Sequence, residues 1–244
     1  MVSNTLHLVL KNRRLELGGG KTYEYTYGVV ILLGALGVKG IWKTKNVTEV
    51  FENWNSVYYS FSDTINNRQL SGVSLYAFSD TFIVSMRGHE RLIKDPIEFV
   101  ELICNAIIPP FLRSMQYDFF FRGVISMGWF SDSSRMLIGP AVDEAATYYE
   151  AADWVGISIS PSTHAILRNY TSYRRSNLIT DYQIPQKKKN GVLASAVKWI
   201  KYDYSNECYR ILHNKAAENL KTNHNAYMKY KNTLDFYTRC LGIQ

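Results

Sequence analysis

The sequence has few cysteines, and none is placed for a disulfide framework or a metal site. Three occur in 244 residues, at Cys104, Cys208 and Cys240. Their number is odd, their spacing is wide, and neither a CxxC pair nor a histidine at metal-ligand spacing accompanies them. The sequence therefore indicates neither a disulfide framework nor a zinc site, and we expect a reducing compartment, the cytoplasm.

Long hydrophobic runs are also scarce. The only one extends from Val29 to Val38, or to Trp42 if Lys39 and Gly40 are allowed. It is too short to span a bilayer, and no basic segment with a cleavage site lies at the N-terminus. We interpret the run as a buried strand and expect no membrane partner.

Acidic residues are fewer than basic ones. The chain has 21 Asp and Glu against 28 Lys and Arg, a formal net charge of +7. This balance favours an anionic partner, such as a nucleotide, a nucleic acid or a membrane surface, without choosing among them. Because 46% of the residues are hydrophobic, the chain can bury the core of one large domain.

A P-loop is absent, although Gly20-Lys21-Thr22 has part of its pattern. The position that should hold the earlier glycine is Leu15. We therefore expect residues 1–27, with a short apolar stretch at Leu6 to Leu10 and glycines at 18–20, to form a lead-in with a flexible hairpin or linker.

Helix patterns are visible in the middle of the chain. Apolar residues at a three-to-four spacing predict amphipathic helices over 46–66 and 96–112. Asp95-Pro96 suits the N-cap and first turn of the second helix, and Pro109-Pro110 should end it. Similar patterns predict a helix from Pro140 within 139–152, a polar helix over 206–240, and strands at 28–36, 119–129, 155–160 and 192–200.

Two charged side chains stand out within apolar segments. Asp80 lies at the turn of a hairpin predicted over Val73 to Ser85. Its carboxylate either bonds its own backbone, as turn aspartates do, or is matched to a cation. Arg122 lies in the aromatic strand 119–129 and needs an anion, supplied by a structural ion pair or by a ligand. The residue types leave these alternatives open.

The element order predicts the α+β class: a split βαβ-type, mostly antiparallel sheet with helices on one face, followed by a C-terminal extension with a helix. We divide the chain into the lead-in 1–27, a core at 28–165, and an extension at 166–244 that contains the basic loop Lys187 to Lys189.

Four segments, in this order, resemble the catalytic domain of class III nucleotide cyclases. The resemblance covers roughly residues 28–165, and the strand Gly156 to Pro161 is similar to the closing I-x-I-S-P of the family. The segments are Gly34 to Val38 for D-[IL]-x-G-[FY], Phe78-Ser79-Asp80 on the hairpin, Arg122 to Gly128 for R-x-G-I-x-x-G, and Gly139 to Thr147 for G-x-x-V-N-x-A-x-R. Asp181 to Pro185 and the following Trp199 resemble the bacterial pyrimidine cyclases of antiphage defence (Pycsar).

The resemblance implies a homodimeric enzyme that converts UTP or CTP to cUMP or cCMP, a signal for a separate effector. It implies two divalent ions, Mn²⁺ or Mg²⁺, clamped by two aspartates. Asp80 matches the second aspartate, whereas Gly34 replaces the first and leaves the Ala35 carbonyl beside it. We expect weak metal binding and reduced turnover from this replacement.

The resemblance also implies nucleotide contacts. Arg122 matches the contact to the terminal phosphates and, with Asp80, is the implied catalytic residue. Ser74 and Met136 replace the residues that read adenine in relatives, which disfavours a purine. The implied nucleotide-binding residues are Leu36, Gly37, Val38, Ser74, Tyr76, Asp143 and Thr147.

Asp143 and Thr147 replace the ribose-orienting Asn and the transition-state Arg of the family. Neither supplies a guanidinium, so Arg174, Arg175 or the Lys187 to Lys189 run would have to supply the charge.

Two other hypotheses stay open. The first is a cyclase-fold protein that binds a nucleotide or forms a dimer scaffold without turnover, which Gly34 and Thr147 favour. The second is single-stranded nucleic-acid binding, which needs an aromatic and basic stripe on one sheet face. We do not expect a nucleic-acid partner, because the cyclase motifs explain more of the sequence.

Overall fold

One mixed sheet organises the chain in the computed structural model, which describes residues 13–17, 21–38, 40–68, 70–88, 94–133, 136–187 and 193–242. The strand order is β3-β4-β2-β5-β7-β9-β8, with β1 paired to β2 and β6 paired to β5. The β5–β7 pair is parallel and the other pairs are antiparallel. The strands are β1 Arg13–Leu17, β2 Lys21–Leu36, β3 Val73–Phe78, β4 Thr81–Arg87, β5 Phe120–Ser133, β6 Met136–Ile138, β7 Gly156–Ile159, β8 Ile179–Asp181 and β9 Ser195–Val197.

Helices pack on both faces of this sheet. The α-helices are α1 Val47–Asn67, α2 Pro96–Gln116, α3 Pro140–Tyr148, α4 Pro161–Arg168, α5 Glu207–Asn219 and α6 His224–Leu241, and the short 3₁₀ helices are Ile41–Lys43, Thr171–Arg175 and Trp199–Tyr202.

Residues 28–35 of the central strand β2 are buried on both faces, which explains their continuous apolar run. Val29, Ile31 and Leu33 belong to the main core, together with apolar residues of α1 and α2. Val30 and Leu32 face the other way and pack with the alanines of α3. The predicted α+β fold is confirmed, but the helices are not confined to one face as predicted, because α3 packs on the second face.

The predicted helix starts and the hairpin are confirmed. The Asn46 side chain accepts bonds from the amides of Thr48 and Glu49, at 2.9 and 3.4 Å, and so caps α1. The Asp95 side chain accepts from Ile97 N at 2.9 Å and caps α2 in the same way. The strands β3 and β4 meet at the Ser79-Asp80 turn, where Ser79 adopts a positive φ of 55°.

The predicted end of α2 at Pro109-Pro110 is wrong. The helix continues to Gln116, although each proline lacks the N–H of an intrahelical bond. The turn beyond the prolines is buried, with Phe111 at 0% and Met115 at 2% exposure. Burial of these large side chains offsets the lost bonds.

The predicted helix over 206–240 is two helices. The chain leaves α5 after Asn219, and α6 begins beyond Asn223, whose side chain accepts from Ala226 N at 3.1 Å. This local cap favours a new helix start over continuation. Two elements, α4 and β8, lack a clear sequence pattern because both are short, and β9 covers three residues of the predicted 192–200 strand.

The N-terminal hairpin is confirmed. Strand β1 pairs with β2 from Arg13 opposite Tyr25 to Leu17 opposite Lys21. The apolar stretch Leu6 to Leu10 and the glycines at 18–20 lie outside the described residues.

The residues after 165 complete the core. Trp154 stacks on Tyr182 with ring centroids 5.8 Å apart, and meets Phe236 of α6 edge-on at 5.0 Å. The Thr233 hydroxyl of α6 accepts from the Val155 amide at 2.7 Å. The C-terminal segment is therefore part of the same hydrophobic core as the sheet.

In the described ranges, we find no helix with the length and apolar character required to cross a bilayer.

We predict that Thr233→Val destabilises the protein by about 1–3 kcal/mol, because the buried Val155 amide loses its acceptor. Urea unfolding monitored by circular dichroism measures the change. Thr48→Val, at an exposed position in the first turn of α1, is the matched control and should cost less than about 1 kcal/mol. Equal effects of the two changes would contradict the assigned bond.

Candidate active site

The sheet register brings Gly34, Asp80 and Arg122 to one end of the sheet. Gly34 lies opposite Thr81 of β4 on one side and opposite Arg122 of β5 on the other. Asp80 directly precedes Thr81, and its carbonyl accepts from Ala35 N at 2.8 Å. The first and second metal positions of the resemblance and the phosphate-binding arginine are thus neighbours in space.

The Asp80 carboxylate is available for a ligand. It accepts a bond of 3.4 Å from the hydroxyl of the adjacent Thr81 and is partly exposed. Within the described ranges Asp80 takes part in no ion pair. A carboxylate that has no ion-pair partner can bind a cation without breaking an existing ion pair.

The guanidinium of Arg122 is buried and has unused donors. The residue is 9% exposed, and its Nη2 lies 3.6 Å from Oε1 of the exposed Glu150. Its Nε and Nη1 atoms are buried and have no hydrogen-bond partner among the described residues. Burial lowers the pKa of Arg122, against the opposing effect of Glu150. A buried cation with two unpaired nitrogens is costly unless an anion reaches it.

The Tyr149 ring covers Gly34. A Cβ built on Gly34 would lie 2.8 Å from Cε2 and 3.1 Å from Cδ2 of Tyr149. The Tyr149 hydroxyl donates to Oε1 of Glu150 at 3.2 Å, and burial raises the Tyr149 pKa. The space into which the first metal-binding aspartate would project is therefore filled by an aromatic ring.

The residues present do not fit the two-ion clamp that the resemblance implies. Such a clamp needs oxygen ligands from both strands. Here Asp80 supplies a carboxylate, whereas Gly34 has no side-chain oxygen and faces the Tyr149 ring carbons. Mn²⁺ or Mg²⁺ would have to arrive with a triphosphate as part of the ligand.

Leu36, Gly37 and Val38 lie at the same end of the sheet. They form the exit from β2, where Gly37 has a φ of 76° and the Val38 carbonyl accepts from Ile41 N at 3.0 Å. Glycine allows this left-handed conformation and keeps the turn open at the surface.

Ser74 and Tyr76 lie further from that end, on the edge strand β3. Ser74 pairs with Ser85 of β4, and Tyr76 pairs with Ile83. The β3 residue in line with Gly34 is Phe78, because both pair with Thr81. The Tyr76 hydroxyl donates to the Asp132 carboxylate. Burial, followed by this bond, raises the pKa of Tyr76 to about 12. Because the Tyr76 hydroxyl donates its proton to Asp132, its oxygen can only accept a hydrogen bond from a nucleobase.

Asp143 and Thr147 are exposed on α3, and the Thr147 hydroxyl donates to the Asp143 carbonyl at 2.8 Å. Neither side chain supplies positive charge to the site. The backbone N–H of Lys187 donates to the Ala151 carbonyl at 3.0 Å, next to Glu150, the partner of Arg122. Burial and then the Arg122 charge lower the pKa of Lys187. Lys188 and Lys189 lie outside the described residues.

Sequence reasoning missed Glu144 as a positioning residue. Its carboxylate accepts from the Ser126 hydroxyl of β5 at 2.7 Å, and from the amide and hydroxyl of Ser162 at 3.0 and 2.5 Å. It therefore ties α3 to β5 and to the start of α4. The only available signal was a carboxylate on the helical face that carries Ala141 and Ala145.

No protein-family model matches this sequence, and no curated protein matches it. Solved structures do. The catalytic core of a rhodopsin-guanylyl cyclase with converted specificity, in complex with ATPαS, has a TM-score of 0.51 and 13% identity over 71% of this chain and 98% of its own. The dimeric guanylyl cyclase domain of the RhoGC fusion protein from the aquatic fungus Blastocladiella emersonii has a TM-score of 0.51 and 13% identity, covering 71% and 94%. The guanylate cyclase domain of RhGC from Catenaria anguillulae, in complex with GTP, has a TM-score of 0.50 and 11% identity, covering 70% and 95%.

The chain therefore has the fold of the nucleotide cyclase catalytic domain. At this level of identity the similarity shows the fold alone. The predicted cyclase-like architecture is confirmed, and the assignment to the pyrimidine branch stays a prediction.

We predict that Gly34→Ala costs about 1 kcal/mol or less, because the half-buried Tyr149 ring can turn toward solvent. Gly123→Ala is the contrasting change and should cost about 3 kcal/mol or more, because its Cβ would lie 2.7 Å from the Leu32 carbonyl oxygen. Urea unfolding measures both. A severe loss from Gly34→Ala would contradict a movable ring.

Proposed function

We propose that the protein is a catalytically degenerate cyclase-fold protein that binds a pyrimidine nucleoside triphosphate, UTP or CTP, at the Asp80–Arg122 end of the sheet. One observation carries the proposal. The Tyr149 ring fills the space beside Gly34 where the resemblance implies the first metal ligand, while two buried nitrogens of the adjacent Arg122 have no partner in the part of the chain that the structure describes.

The unpaired nitrogens favour a phosphate as the ligand. A guanidinium presents parallel N–H groups that match the oxygens of a phosphate, and such bonds are stronger than neutral ones. Lys187 adds positive charge near Arg122. Similar solved cyclase domains hold ATPαS and GTP, which supports a nucleoside triphosphate as the ligand here.

Turnover should be slow or absent. Cyclisation requires activation of the ribose 3′-hydroxyl and stabilisation of charge on the transferred phosphate. The chain lacks the first carboxylate at Gly34, and Thr147 bonds its own helix through a neutral hydroxyl. The residues present are suited to bind a triphosphate but not to promote its cyclisation.

A pyrimidine is the favoured base. Ser74 and Met136 occupy the positions that would read adenine, and neither carries a charged group. Ser74 on β3, with Tyr76 as an acceptor, suits a smaller base.

A second candidate function is active cyclisation of UTP or CTP to cUMP or cCMP by a cytoplasmic homodimer, as a signal to a separate effector in antiphage defence. The Asp80 carboxylate, which forms no ion pair among the described residues, favours this candidate. The bond from Ala35 N to the Asp80 carbonyl holds the hairpin that carries this carboxylate in place. One similar solved cyclase domain is dimeric.

We predict that Arg122→Met weakens binding of magnesium UTP at least about tenfold, because a charge-assisted contact is lost. The stability of the ligand-free protein should stay the same or rise, because an unpaired buried cation is removed. Isothermal titration calorimetry and urea unfolding measure the two effects. Arg113→Met, at an exposed position of α2, is the matched control. Unchanged affinity in Arg122→Met would remove Arg122 from the site.

We predict that the unchanged chain forms no cyclic product from UTP, CTP, ATP or GTP with manganese. Gly34→Asp combined with Tyr149→Ala restores an acid and clears its space, so cyclic product should appear from UTP or CTP. Chromatography of the reaction detects the products. Cyclic nucleotide from the unchanged chain would establish the second candidate instead.

A further inference from the structure

A cavity lies on the C-terminal part of the sheet, apart from the candidate active site. It measures about 760 Å³ and is lined by the end of α4, the 3₁₀ helix Thr171–Arg175 and strand β8. Two strands, β7 and β9, separate β8 from β5, which carries Arg122. None of the residues of the candidate active site lines this cavity.

The cavity is strongly basic. Its walls include the side chains of Arg168, Arg174, Arg175 and Lys198 and a single carboxylate, that of Asp181. That carboxylate accepts from the Tyr173 hydroxyl at 2.5 Å. Among the described residues, none of the three arginines forms an ion pair. The lining therefore carries four basic side chains against the carboxylate of Asp181, and Glu101 lies beside it, where its carboxylate accepts from the Ser176 hydroxyl at 2.5 Å.

Lys198 reinforces this charge from a half-buried position. Its Nζ donates to the Ser176 carbonyl at 3.1 Å and keeps further donors. Burial, and then the neighbouring Lys201, lower the pKa of Lys198. A cation in this environment gains from a nearby anion.

We propose that this cavity binds a phosphate-bearing small molecule of nucleotide size, at a site separate from that of Arg122. Its volume falls in the range of about 300–1,000 Å³ that is typical of small-molecule sites and exceeds the need of a lone phosphate. Arg174 and Arg175 end the 3₁₀ helix side by side and are exposed, so their guanidinium groups can reach phosphate oxygens. Tyr170, which is partly exposed, adds aromatic surface on which a base can pack.

An adjoining cavity of about 520 Å³ extends the site. It shares Arg168 and Asp181 with the first cavity and adds Arg239 and His164. A ligand with several phosphate groups would therefore meet cations on both sides of Arg168.

The test is a titration of the protein with inorganic triphosphate, in which isothermal titration calorimetry measures the binding. Arg174→Gln/Arg175→Gln should reduce the number of triphosphate sites from two to one in the otherwise unchanged protein, and should raise the dissociation constant at least about tenfold in the Arg122→Met background. The matched control Arg113→Gln/Arg210→Gln removes the same charge from exposed positions outside the cavity and should change it less than about threefold. Repeating both pairs in the Arg122→Met background removes the first site, so that the two sites are judged separately.

The proposal is supported if the Arg122→Met protein still binds triphosphate and if adding the Arg174→Gln/Arg175→Gln pair to it abolishes that binding. Loss of all binding in Arg122→Met alone would overturn it, as would equal losses from the cavity pair and the control pair. Tighter binding of a single-stranded RNA of about 12 nucleotides than of UTP, dependent on the same arginines, would also overturn it and assign the surface to nucleic acid.

Discussion

The antiparallel pairing of β2 with β5 places Gly34 beside Arg122 and so sets the centre of the candidate site. The two strands pair from Thr26 opposite Phe130 to Leu36 opposite Phe120. Because side chains alternate along a strand, a slip of one residue would exchange the two faces of β2 and move Gly34 away from Arg122. The register is stabilised by burial on both faces, with the main core on one side and α3 on the other.

The charges at this end of the sheet are unbalanced in a way that favours an anionic ligand over a metal centre. Arg122 is buried with an exposed and distant partner, Glu150, and such a pair contributes little. The carboxylate that would balance it from β2 is missing at Gly34, and Tyr149 has taken its space. The chain thus has the cyclase fold, while Gly34 and Tyr149 do not fit the two-ion clamp that the resemblance implies. In the proposed complex, phosphate oxygens would complete the hydrogen bonds of Arg122 and offset the cost of its burial.

Much of the fold could be predicted because its signals are local. Asp95-Pro96 marked the start of α2, and the apolar run around Val29 marked the central strand. The continuation of α2 through Pro109-Pro110 could not be predicted, because the burial that offsets the prolines is a tertiary effect. The same applies to the short elements α4 and β8, which are held by their neighbours in the sheet.

The candidate site was partly predictable for a related reason. The positions of Gly34, Asp80 and Arg122 follow from motif order and sheet register. The placement of Tyr149 over Gly34 and the ties made by Glu144 depend on how α3 packs, which no local pattern encodes. The basic cavity lies in the segment after 165, where residues from α4, a 3₁₀ helix and β8 meet only in the folded chain.

The most direct test of the central claim is a phosphorus NMR spectrum of magnesium UTP in the presence of the unchanged protein. We expect the β- and γ-phosphate resonances to shift and broaden as the nucleotide binds, while the UTP stays intact over hours. Resonances of a cyclic phosphodiester and of pyrophosphate, growing together at the expense of UTP, would contradict the account and show that this end of the sheet performs cyclisation.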